Sequence, residues 1–176
     1  HKQSFGALLL LLLFLGFLVL AIATTLLGIA YDWPYSFQHC WYYLVYELTM
    51  DVFGVAFCLG CLLAMYRRAF QRPKSLGHNW RDWWLLSTLL GLGITGFAVE
   101  ALRLHYTQVQ PWLAHWSTVG WLIDTTMLRR IDVGTAKTMH LVTWWVHTIM
   151  VAGFFIAIPV SRFLHVNRRR SAVATV

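Results

Sequence analysis

Four long apolar runs, at roughly 5–30, 42–66, 84–105 and 138–161, leave a chain of 176 residues few ways to fold. Each reaches the ~20 residues that a helix needs to cross a bilayer core. Hydrophobic residues make up 59% of the chain and charged residues 12%, too few charges for a water-soluble domain of this size. The pattern predicts an all-α integral membrane bundle of four transmembrane helices, forming one domain over 1–176. The first run is too long for a cleaved signal peptide, and no small-x-small cleavage site follows it. The chain begins with His1 rather than Met, which fits a processed or trimmed protein or a piece of a longer polypeptide.

The net charge of +7 invites a nucleic-acid reading, but its distribution argues for topology instead. Arg67, Arg68, Arg72, Lys74 and Arg81 crowd the link between the second and third runs. Lys2 precedes the first run, and Arg162, Arg168, Arg169 and Arg170 follow the fourth. Only Arg103, Arg129, Arg130 and Lys137 belong to the opposite side. The positive-inside rule then predicts that both termini are cytoplasmic, in a multi-pass protein of a cell membrane, with anionic lipid as a secondary partner. Trp33, Tyr35, Trp41, Tyr42 and Tyr43 on one side and Trp80, Trp83 and Trp84 on the other form the expected interfacial belts. Pro73 and Gly77 mark the inner link as a turn. The outer link, about 106–137, is long, and STVGWLIDTTML within it reads as a short interfacial helix over the mouth of the bundle.

Histidines carry the strongest chemical signal. His147 and His165 are 18 residues apart, and His140 lies seven residues before His147. At about 100° per residue these steps return to nearly the same helical face. His147 and His165 are then about 27 Å apart along the axis, close to the depth of a bilayer core. Such a stripe of ring nitrogens suits stacked haems. The plainer reading makes His140 and His165 interfacial residues near helix ends. His147 lies well inside its run, where an ionisable group is a functional candidate by default. A b-type haem takes one imidazole from each of two helices, so another element must oppose each ligand. His39 is a further candidate; depth pairs His165 with His78 or His1, and His140 or His147 with His105 or His115, and a single-haem protein is the alternative.

Glu47 and Asp51 share a face of the second run, and Glu100 and Arg103 close the third. Either the acids satisfy Arg103 and the backbone, or they exchange protons with a quinone head-group near an outer haem. Cys58 and Cys61 form a C-x-x-C within the second run, as a thiol–quinone oxidoreductase would carry. Only Cys40 remains as a shuttle thiol, so the pair reads better as small residues at a helix contact, like Gly54 and Gly60. Gly91, Gly93 and Gly96 read as packing glycines or as room for a flat macrocycle.

RDWWLLSTLLGLGITGFAVEALRL and HLVTWWVHTIMVAGFFIAIPVSRFLH resemble the membrane cytochrome b of the nitrate reductase gamma-subunit family. The closer likeness is to the branch associated with heterodisulfide-reductase-like iron–sulfur proteins. The His-x17-His spacing and the W-W-x-H setting are its specific parts, and LGFLVLAIATTLLG and MDVFGVAFCLGCLLAMYRR extend it over most of the chain. The resemblance implies a subunit that moves electrons between the quinone pool and an iron–sulfur partner through one or two haems b. It makes His147 the ligand of an outer haem and His165 that of an inner one. Where that family tends to carry histidines in its first helix, this chain has Leu10 and Leu20. That leaves either a reduced haem count or opposing ligation by His1, His78 or His105. Arg81 and Arg162 stand where haem propionates would meet cations. The rival readings are a thiol–quinone oxidoreductase and a haem-free structural subunit.

Overall fold

The computed structural model describes residues 2–31, 41–71 and 80–173, with side chains chiefly over 11–26, 43–70 and 82–157. Among the described residues there is no strand. Helix α1 covers Lys2–Tyr31 and α2 Trp41–Tyr66, which runs on through a π-helical turn at Arg67–Gln71. Helix α3 covers Trp80–Thr107, α4 Pro111–Ala114, α5 Thr118–Ile123 with a second π turn at Asp124–Leu128, and α6 Val133–Val173.

Three segments, Tyr43–Phe70, Asp82–Thr107 and Val133–Ala157, are long and apolar enough to cross a membrane; α1 contributes the apolar stretch Leu11–Leu26. Their outward faces carry large apolar side chains: Phe14 is 65% exposed, Ile94 58% and Ile149 65%. A water-soluble fold would bury such residues; helices in lipid need not.

Where hydrocarbon lies on both sides, the hydrophobic effect does not drive helices together, so close approach and dispersion must. Glycines set the contacts of α2. A side chain at Gly16 of α1 would meet Cβ of Phe57, and one at Gly54 would meet the Phe97 ring of α3. A Cβ at Gly93 would overlap Sγ of Cys58, so the thiol occupies the space that glycine leaves. Replacing Gly93 with Ala should therefore loosen the α2–α3 contact by about 1–3 kcal/mol, as overpacking does. Thermal unfolding in detergent should show that loss and its recovery when Cys58→Ala is added. Helix α6 packs antiparallel on α3, with His147 opposite Thr95 and His140 opposite Tyr106. Phe17 of α1 lies 5.5 Å from the Phe154 ring and 6.4 Å from Phe57, bringing α1 against both α6 and α2.

Helix α6 exceeds the apolar run at both ends. It starts early because Asp132 caps it, accepting bonds from the Thr135 N–H (2.8 Å) and hydroxyl (2.7 Å). Those bonds hold the exposed Asp132 carboxyl below its usual range. It runs on through Pro159 to Val173. The outer link does form a short helix, α5. It packs on α3, and its Ile123, with Leu128 and Ile131 beyond it, closes over Ala101, Leu102, Tyr106 and Ala136.

Candidate functional site

Polar side chains inside the bundle lie at two levels along α3 and α6. The deeper one is His147, whose Nδ1 is 2.8 Å from the Thr95 hydroxyl. Thr95 also bonds back to its own helix, 2.8 Å from the Gly91 carbonyl and 3.2 Å from that of Leu92. A hydroxyl has one proton, and a carbonyl can only accept. Both contacts are met when Thr95 donates to its backbone and accepts from Nδ1–H of His147. The neutral ring is then the Nδ1–H tautomer, with the Nε2 lone pair free of any partner among the described residues. That is how protein oxygens orient imidazoles that bind metals. Gly96 faces Cε1 of the same ring, where a Cβ would stand at 3.6 Å.

The outer level is an ionic network. Arg103 forks onto Glu100, with Nε 2.9 Å from Oε2 and Nη2 2.6 Å from Oε1. The same Nη2 reaches Glu47 Oε1 at 3.0 Å, joining α2 to α3. Tyr43 bonds to Glu47, and the Tyr46 hydroxyl donates to the Ala23 carbonyl of α1 at 3.0 Å. Two carboxylates share one guanidinium, so the network has one carboxylate more than its cation can neutralise. The His140 ring packs on Tyr106 at 4.9 Å, beside this level.

Asp51 takes another role. It is 6% exposed, and its Oδ2 accepts the Val119 N–H at 2.7 Å. A carboxylate of α2 thus caps α5 from across the bundle and holds the outer link down over Glu100. Asp51→Ala should weaken that attachment by about 1 kcal/mol, the usual cost of a lost cap. Hydrogen exchange should then quicken across 115–128 while α3 keeps its protection.

His105 also turns into the outer link. Its Nε2 donates to the Ile131 carbonyl at 2.9 Å, and its Nδ1 lies 2.5 Å from Asp124 Oδ1. Both ring nitrogens are spent, so in this arrangement it has no lone pair to offer iron. His115 is exposed, edge-on to Trp121 at 4.5 Å. His1, His39 and His78 lie outside the described residues, as do the side chains of His165, Arg81 and Arg162. The structure therefore brings Glu47, Glu100 and Arg103 together, sets His140 beside them, and leaves His147 one level deeper. No described imidazole faces His147 from another helix. Cys61 is 0% exposed, whereas Cys58 is partly buried with its thiol against Gly93.

Thr95, Asp124 and Tyr106 are not legible as site residues in the sequence. Thr95 alone has a signal: it is a hydroxyl near the middle of the third apolar run, at the depth of His147 once the two helices run antiparallel.

No family profile matches the chain, and no solved structure matches it. Over 164 residues, 88% of its length, it is 24% identical to the EtfAB:quinone oxidoreductase of Syntrophomonas wolfei subsp. wolfei. It spans only 22% of that protein. The described residues are thus all-helical, with three helices of membrane length among them, and the chain is similar to about one fifth of a quinone oxidoreductase.

Proposed function

We propose that this chain is the membrane electron-transfer part of a quinone-linked oxidoreductase, with haem b held by His147 and an iron–sulfur protein or domain as its partner. The observation that carries the reading is a mid-span imidazole with Nδ1 tied to Thr95 and Nε2 bare. A relative named for quinone oxidoreduction supports the same class of chemistry. Haem b would supply one-electron storage in a layer without water.

The chain's own residues have defined tasks in this reading. Thr95 fixes the tautomer and plane of His147. The lipid-facing helices exclude water and lower the local dielectric. Glu47, the carboxylate beyond what Arg103 neutralises, takes up or releases a proton at the outer side, whereas Glu100 holds Arg103 and Asp51 holds the link. His165, with His78, Arg81 and Arg162, would hold a second haem at the inner side, which would extend the electron path across the bilayer. Helix α1 spans the membrane as a fourth helix, and the basic inner link sets both termini in the cytoplasm of a prokaryote.

A dithionite-reduced minus oxidised spectrum of the purified chain tests this. A b-type α band with one or two haems per chain is expected. A colourless protein without stoichiometric iron overturns the haem assignment.

A further inference from the structure

At the outer end of α3 the outer link forms an open depression of about 290 Å³ lined by His105, Gln108, Asp124, Thr125 and Arg129. Two irregularities of the backbone build it. Helix α3 ends on Gln108 at φ 51°, a left-handed conformation that a non-glycine residue seldom adopts. On the facing side the π turn Asp124–Leu128 follows α5. Features of this kind concentrate at binding sites.

The hydrogen-bonding inventory says what the depression recognises. Asp124 gives Oδ1 to His105, and its Oδ2 has no partner among the described residues. Thr125 donates to the Trp121 carbonyl at 2.9 Å, so towards a ligand its oxygen can only accept. Gln108 uses one N–H on the His105 carbonyl, leaving a second N–H and its carbonyl oxygen. Arg129 has no ion-pair partner among the described residues and offers donors only. The site thus sets a carboxylate acceptor backed by an imidazole in one space with a cationic donor. A free anion could accept from Arg129 but would leave Asp124 Oδ2, which can only accept, without a donor. A ring bearing a hydroxyl and a second oxygen across from it satisfies both ends.

We propose that this depression seats the head-group of a quinol or quinone, an assignment that rests on the quinone-linked reading above. The quinol hydroxyl donates to Asp124 Oδ2, and the second oxygen accepts from Arg129. The volume is at the lower end for a ligand pocket, about 300–1,000 Å³, enough for a head-group but not a polyprenyl tail. Leu122 (54% exposed) and Met127 (74% exposed), on and beside the π turn, provide apolar surface for the tail. The site differs from the Glu47–Arg103–Glu100 network, which lies further back along α3 from its outer end.

The full chain in lipid nanodiscs should be titrated with menadione and with a benzoquinone bearing one isoprenoid unit, read by saturable quenching of tryptophan fluorescence. Asp124→Asn and Arg129→Gln should each weaken binding at least tenfold. Arg129 is exposed and holds no part of the fold, so R129Q keeps the test sound if D124N loosens the link. Quinone binding that neither variant alters overturns the pocket assignment and leaves the quinone reading standing. Wild-type protein that binds neither quinone overturns that reading as well. Acetate or phosphate that competes with quinone in the wild type but not in R129Q marks an anion site and overturns the proposal.

Discussion

Replacing His147 with alanine is expected to remove one haem per chain and, with it, quinol-driven reduction of the protein. The effect should be close to complete, because no described imidazole lies near enough in depth and orientation to substitute. The absolute haem-to-chain ratio before and after substitution measures it. Thr95→Val is the more discriminating variant. It keeps the shape of the side chain but leaves Nδ1–H without its acceptor and the ring free to turn. Loss of such a supporting bond typically costs about 10–100-fold in metal affinity. T95V should therefore retain haem less tightly, with a displaced midpoint potential, while its helix content stays that of the wild type. If both variants hold wild-type haem at wild-type potential, the ligand is elsewhere and the tie to Thr95 only packs two helices.

Arg103 carries the second large expectation. Its guanidinium ties α3 to α2 through Glu100 and Glu47, whose side chains are 23% and 12% exposed. Taking one partner from a buried ion network leaves uncompensated charge, at a cost of about 3–5 kcal/mol. Arg103→Gln should accordingly abolish accumulation of the folded chain in membranes. Arg103→Lys should rescue it only in part, since an ammonium cannot reproduce the fork onto Glu100. The triple variant Glu47→Gln, Glu100→Gln, Arg103→Gln contains no charge to strand and should insert and fold. In that variant any proton exchange at the outer side is lost although the helices assemble. Yield and thermal unfolding of the four proteins separate the two roles: structure follows charge balance, and proton exchange follows Glu47.

His147 and the Arg103 network differ in how far the amino-acid pattern alone exposes them. His147 is legible because an imidazole within an apolar run has few cheap explanations, whatever surrounds it. Glu47, Glu100 and Arg103 are legible for the same reason, and the i,i+3 spacing already pairs the last two. Their joining to α2 needs the antiparallel register of α2 and α3, which glycines at 54 and 93 permit but do not announce. Asp51 is the opposite case. The face it shares with Glu47 suggests a second proton carrier, yet it caps a helix 68 residues further along the chain. Depth alone suggests His105 as a haem ligand, but two partners from the outer link occupy both of its nitrogens.

Long stretches with few charges mark, by themselves, helices long and apolar enough to cross a membrane. They leave the backbone no water to bond with, so each stretch must become a helix and expose its apolar side to lipid. The same pattern settles where chemistry is concentrated, because each charge or imidazole retained inside those stretches carries a desolvation penalty that needs compensation. What pairs with each of those groups is a matter of tertiary contact. Thr95 beneath His147, Val119 over Asp51 and Asp124 against His105 are 52, 68 and 19 residues away in sequence. No local periodicity encodes such distances; the packing of α3 against α2, α5 and α6 does.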